Sequence, residues 1–206
     1  MKTKRGNINI DHRLRPKEVY DLVTSKTLNY KSDPSFYHAR DKALLALLYL
    51  TAGRISEVLK LRKSQFDSET DKDFIIIRDM KVVKRRKKTL KKHGVPLREV
   101  PLPLNGKLAP FTRLVMEYLK LVKDNTMLFP SHKKEREHMS RIRAWQIVNG
   151  ITGQWCHYFR SQAESHYGRV FKDVIALANF VRVVNVQTLS EYVKTSWEDY
   201  RLELSK

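Results

Sequence analysis

The sequence predicts a mainly α-helical domain carrying a small antiparallel sheet or hairpin of about three strands. Three observations lead there. Apolar residues recur at helical spacing through most of the chain, residues 41–50 are apolar almost all round, and the run Phe74-Ile75-Ile76-Ile77 is β-branched and aromatic. At 206 residues, with 41% hydrophobic and 31% charged, the chain has the size and composition of one globular domain with a real core.

Taken in order, residues 1–15 are polar and basic, with Lys2, Lys4, Arg5, Arg13 and Arg15, and read as an arm ahead of a domain over 16–206. Pro16 opens a first helix through Val23, since proline suits the first helical position. Residues 41–50 form a helix for the middle of the core. Gly53 ends or bends it. Ile55, Val58, Leu59 and Leu61 then mark a second helical stretch. The strand Phe74–Ile77 has its return over 95–104, where Pro96, Pro101 and Pro103 confine it to a sheet edge. Between the two strands lies the densest charge cluster, with Lys81, Lys84, Arg85, Arg86, Lys87 and Lys88, placed at the tip of a hairpin spanning about 74–104. Leu114, Val115, Tyr118, Leu119 and Val122 give another amphipathic helix, broken at Leu128-Phe129-Pro130-Ser131. A second basic stretch over 132–143 holds Lys133, Lys134, Arg136, Arg141 and Arg143. The rest, to about 204, reads as mostly helical. Trp145, Trp155 and Trp197 are expected in the core or an interface.

The net charge of +19 calls for a polyanionic partner, because so much like charge repels itself in the folded state. No run of about 18 apolar residues predicts a membrane span. The basic start has no apolar segment after it, so no secretory signal is expected. Cys156 is the single cysteine, which excludes an internal disulfide and a cysteine-rich zinc site. The expectation is an intracellular protein that needs neither metal nor cofactor.

Two strings carry chemistry. One is Thr51-Ala52-Gly53-Arg54-Ile55-Ser56-Glu57, directly after the apolar helix. The other is His157-Tyr158-Phe159-Arg160, with Tyr192 further on. Two arginines, a histidine and a downstream tyrosine are a sensible kit for breaking a DNA phosphodiester without metal. The arginine fork matches phosphate oxygens, and tyrosine can hold the cleaved phosphate as an ester. A buried arginine also needs an anion, and phosphate or Glu57 would supply it for Arg160.

These strings, with Lys81 after the strand, Leu128-Phe129-Pro130-Ser131 before the histidine, and Thr188-Leu189-Ser190-Glu191-Tyr192 near the end, resemble the catalytic domain of the tyrosine recombinases. This is the phage-integrase and Xer-like family, and the resemblance spans roughly residues 16–200. It implies a site-specific recombinase or integrase that cuts and rejoins duplex DNA through a 3′-phosphotyrosyl intermediate. In that scheme Tyr192 is the nucleophile, Arg54 and Arg160 hold the phosphate, Lys81 protonates the leaving oxygen, and His157 assists. Glu57 orients Arg54. The resemblance also implies a tetramer on DNA, with a monomer when free, and a helical segment over 184–206 that brings the tyrosine. Lys84, Arg85, Arg86, Lys87, Lys88, Lys133, Lys134, Arg141 and Arg143 are expected phosphate contacts.

Two departures from the family pattern stand out. The glycine of the first string sits one place late. Nine residues before Tyr192, where the family usually has histidine or tryptophan, the chain has Val183. Asn179 or Arg182 are the candidate substitutes. No separate N-terminal clamp domain is expected. Rival readings are a catalytically inactive or incomplete DNA-binding relative, a type IB-like topoisomerase, and an RNA-binding protein of ribosomal type.

Overall fold

The computed structural model describes residues 14–82, 97–124, 126–131, 135–171 and 174–181. In chain order the helices are α1 (Pro16–Thr24), α2 (Pro34–Leu50), α3 (Ile55–Val58), α4 (Ala109–Leu121), α5 (Arg141–Thr152), α6 (Cys156–Val170) and α7 (Val174–Val181). The strands are β1 (Phe66–Asp67), β2 (Phe74–Lys81) and β3 (Leu97–Pro103). The mainly helical domain with one three-stranded antiparallel sheet matches the fold the sequence predicts.

Helix α2 is the axle. Leu44, Leu45, Leu47, Leu48 and Leu50 are fully buried on all its sides. It packs against α1, α4, α5 and α6. Each such leucine contributes roughly 1.5–3 kcal/mol by leaving water. The helix begins earlier than its apolar run. The Asp33 side chain accepts from the Phe36 N–H at 3.2 Å, and Pro34 takes the first helical position. Its first turns mix Phe36, Tyr37 and Ala39 with Ser35, His38 and Arg40, so they lack the unbroken apolar run that marks residues 43–50.

Helix α3 is shorter than Leu59 and Leu61 suggested. The Leu61 carbonyl accepts from the Leu128 N–H at 2.8 Å, and the Lys63 N–H donates to the Thr126 carbonyl at 3.2 Å. The chain leaves the helix to pair with 126–128. Leu59 and Leu61 are buried in that turn, so their spacing reports burial and not a helix.

Strand order is β1-β2-β3, which leaves the proline-bearing β3 at an edge. Ile77 pairs with Val100 and Met80 with Arg98, so β2 carries one extra residue between these pairs. Asp79 takes a left-handed φ of 52° in this bulge. The Gln65 side-chain amide donates to the Arg78 and Asp79 carbonyls at 2.8 and 3.0 Å. Strict alternation from Ile75 and Ile77 would turn residues 79 and 81 inward. The bulge resets the parity, so Met80 is buried and Lys81 exposed.

Of the two places expected for Trp145 and Trp155, the core is excluded, since they are 48% and 57% exposed. Helix α5 buries Ala144, Ile147, Val148 and Ile151, which leaves Trp145 on its outer face. Trp155 lies between α5 and α6, its ring edge-on to Tyr158. Trp197 lies outside the described residues.

Candidate active site

The site grows from the buried end of α2. A helix end leaves carbonyls without intrahelical partners, and burial without partners is costly. Here three successive carbonyls are answered by side chains from elsewhere. The Leu50 carbonyl accepts from the Tyr167 hydroxyl at 2.6 Å, Thr51 from Arg98 Nη2 at 2.9 Å, and Ala52 from Arg160 Nη1 at 2.7 Å. The Thr51 hydroxyl donates to the Leu47 carbonyl at 2.6 Å and accepts from the Gly53 N–H at 3.0 Å.

The displaced glycine of the sequence string has a steric cause. Ala52, not Gly53, carries the left-handed φ of 46°. Gly53 is there for space: a Cβ on it would stand 2.6 Å from Thr51 Oγ1 and 3.0 Å from Met80 Cε. The end of the hairpin strand therefore abuts the turn that presents Arg54.

Arg54 caps the start of α3. Glu57 reaches back to it, Oε2 accepting from the Arg54 N–H at 2.9 Å and Oε1 from Nη1 at 3.0 Å. The carboxylate is buried while the Arg54 side chain is 38% exposed, so one end is anchored and the other faces solvent.

Arg160 is enclosed. Its Nε pairs with Glu164 Oε1 at 2.7 Å, and Nη2 donates to the Val181 carbonyl at 3.3 Å. Its ion-pair partner is thus Glu164 one helical turn on, while Glu57 is taken by Arg54. Burial pulls the Arg160 guanidinium below its ordinary value, against the attraction of Glu164. Burial likewise pushes the Glu164 carboxyl up, against the pull of Arg160. The charge of Arg54 acts on both. Arg54, Arg98 and Arg160 with Glu57 and Glu164 make three positive groups against two negative ones. The surplus is positive and suits a phosphate.

His157 lies exposed in the first turn of α6, three residues before Arg160, at the end of the helix where the dipole favours an anion. Lys81 ends β2, exposed and paired across to Leu97. The structure thus joins Arg54, Glu57 and Arg160 in one cluster, with His157 on the same helix as Arg160. Arg141 and Arg143 open α5, exposed and half-buried. Tyr192, Arg182, Val183, Lys84, Arg85, Arg86, Lys87, Lys88, Lys133 and Lys134 lie outside the described residues. Asn179 is on α7, with its side chain outside them as well.

Sequence reasoning missed Arg98, Glu164 and Tyr167. Glu164 could have been found from its i, i+4 spacing to Arg160. Arg98 occupies an inward strand position where an apolar residue is expected, and that mismatch was its signal. A cleft of about 670 Å³ also lies between α1 and the end of α6, among Lys17, Tyr20, Lys107, His166 and Arg169, and includes none of Arg54, His157 or Arg160.

A family model for the phage integrase family matches residues 12–198. The chain belongs to the phage integrase family. Solved structures of similar fold include XerH site-specific recombinase bound to difH substrate, at 16% identity and a TM-score of 0.62 over 92% of this chain. XerA recombinase matches at 17% identity and 0.60 over 93%. The Tn1549 transposon integrase in complex with transposon right end DNA matches at 18% and 0.56 over 98%. This integrase-family chain covers 52%, 62% and 68% of those three chains. No curated protein sequence matches it. Among the described residues, no helix is long and apolar enough to cross a membrane.

Proposed function

We propose that this chain is the catalytic domain of a site-specific DNA recombinase that cuts and rejoins strands through a 3′-phosphotyrosyl intermediate. The observation that carries this reading is the placement of Arg54 and Arg160 about one buried turn. One side chain reaches solvent and the other is enclosed, and their cluster has a positive surplus. The family match and the DNA-bound neighbours support it.

In this reading the Tyr192 hydroxyl attacks the scissile phosphorus and the P–O5′ bond breaks. Lys81 gives its proton to the leaving O5′, and His157 assists proton transfer or holds the phosphate. Arg54 and Arg160 hold the non-bridging oxygens and offset the charge that grows there; losing one such donor costs about 3–4 kcal/mol. The ester keeps the bond energy, so rejoining needs no nucleotide. Residues 16–206 form the catalytic domain, with 1–15 as a basic arm. The free chain is a monomer, four copies assemble on two duplexes, and the setting is intracellular.

The test is covalent capture. The protein is incubated with supercoiled plasmid and a pool of nicked duplexes of randomised sequence, then quenched in denaturant. Wild type retains DNA, Tyr192→Phe does not, and Tyr200→Phe does. Salt-sensitive DNA binding without any adduct would favour the inactive-relative reading that Val183 suggests.

A further inference from the structure

Arg98 is a charged residue in a strand that otherwise alternates cleanly. Val100 and Leu102 point inward beside it, and Arg98 itself is 5% exposed. Replacing a buried charge by a well-packed apolar residue is often neutral or stabilising, so stability alone gives a weak reason for an arginine here. Its geometry gives a stronger one.

Nη2 of Arg98 donates to the Thr51 carbonyl at 2.9 Å and Nη1 to the Phe180 carbonyl at 2.6 Å. Arg160 makes the parallel pair one residue along, to Ala52 at 2.7 Å and Val181 at 3.3 Å. Two guanidiniums from different elements, β3 and α6, thus bridge consecutive carbonyls at the ends of α2 and α7. A planar fork fixes both acceptors relative to one another, which a lysine or an apolar side chain cannot do. Arg98 Nη2 also stands 4.0 Å from Glu57 Oε2, the carboxylate that holds Arg54. Met80, beside Lys81, is its cross-strand neighbour. Its side chain reaches the turn that presents Arg54, the carboxylate that orients it, and the helix from which the chain runs on to Tyr192, while its backbone pairs with the strand that ends at Lys81.

We propose that Arg98 is a positioning residue for strand cleavage: it fixes the α7 exit against the Arg54 turn and so sets the nucleophile's approach to the phosphate. The inference rests on the recombinase reading above and adds a residue to it that touches no DNA.

The duplex recovered from wild-type adducts serves as the substrate, with the scissile O5′ either kept or replaced by sulfur. Arg98→Met and Arg98→Lys are compared with wild type and Lys81→Ala for melting temperature, DNA affinity and single-turnover cleavage. Arg98→Lys keeps the charge and one donor site, and guards against a simple folding defect. Both Arg98 variants are expected to bind DNA within about threefold of wild type and to cleave about 100-fold more slowly, the scale of a small misplacement of reacting groups. Sulfur leaves as a thiolate without a proton, so it restores Lys81→Ala and not the Arg98 variants. Cleavage by Arg98→Lys at the wild-type rate overturns the inference. So does rescue of the Arg98 variants by sulfur, or loss of affinity and folding in step with rate in both. No adduct from wild type removes the recombinase reading itself, and this inference with it.

Discussion

Gly53 and Ala52 divide between two residues what a single glycine often does alone. Ala52 bends the chain with a φ of 46°, at an intrinsic cost of roughly 1–2 kcal/mol for a residue with a Cβ. The Arg160 hydrogen bond to its carbonyl helps hold it there. Gly53 supplies clearance beside a Thr51 hydroxyl already held at two points. Gly53→Ala is therefore expected to destabilise the protein by about 1–3 kcal/mol, as overpacking does. A lower urea midpoint at constant slope would show it. An unchanged midpoint would mean that the threonine gives way. The same clash displaces the Arg54 backbone, so cleavage should fall further than stability alone explains.

At the scale of elements, the hairpin strand depends on its bulge. Asp79 tolerates the left-handed conformation, as Asp and Asn do better than other residues with a Cβ. A β-branched residue does not. Asp79→Val should cost more than 1 kcal/mol or so and shift Lys81, while Asp79→Gly should be close to neutral. Paired denaturant melts of the two variants check this. Equal stability would deny the bulge its role in presenting Lys81. Helix α6 shows a similar dependence, since it carries exposed His157 in its first turn and enclosed Arg160 in its second. The Arg160–Glu164 pair is buried at both ends, so removing either partner alone leaves an uncompensated charge.

For the whole molecule, the surplus of +19 is what would dominate binding to DNA under the proposed function. If Lys133, Lys134, Arg141 and Arg143 meet phosphates, each neutralised residue should lower the slope of log affinity against log salt by about 0.9. Binding titrations across a salt series measure it, and a slope unmoved by the fourfold alanine variant would remove these residues from the interface. Stability has its own pH signature. Burial, then the charges of Arg169 and Lys107, hold the His166 imidazole below its ordinary value of about 6.5. On acidification the unfolded chain binds that proton first. Stability from this group is complete above about pH 6.5 and declines as pH falls toward the folded-state value. His166→Phe should flatten that decline; melting temperatures between about pH 8 and pH 5 would show the difference.

The central helix, the edge position of the proline-bearing strand, the expectation of a polyanionic partner and the two strings around Arg54 and Arg160 were all legible in the sequence. Each rests on local chemistry: an all-round apolar run, a missing N–H, a net charge, a residue order. Three features came only from the tertiary structure. Glu164 and not Glu57 partners Arg160, because the α6 turn brings that carboxylate closer and Arg54 already holds the other. Helix α3 stops at Val58, because the following backbone pairs with 126–128. Arg98 joins the cluster, because a strand residue can reach the ends of two helices only once the sheet is packed against them. Hydrogen bonds between residues about 50 to 110 positions apart leave no periodic trace in a sequence, so the carbonyl ends they satisfy become legible only in the fold.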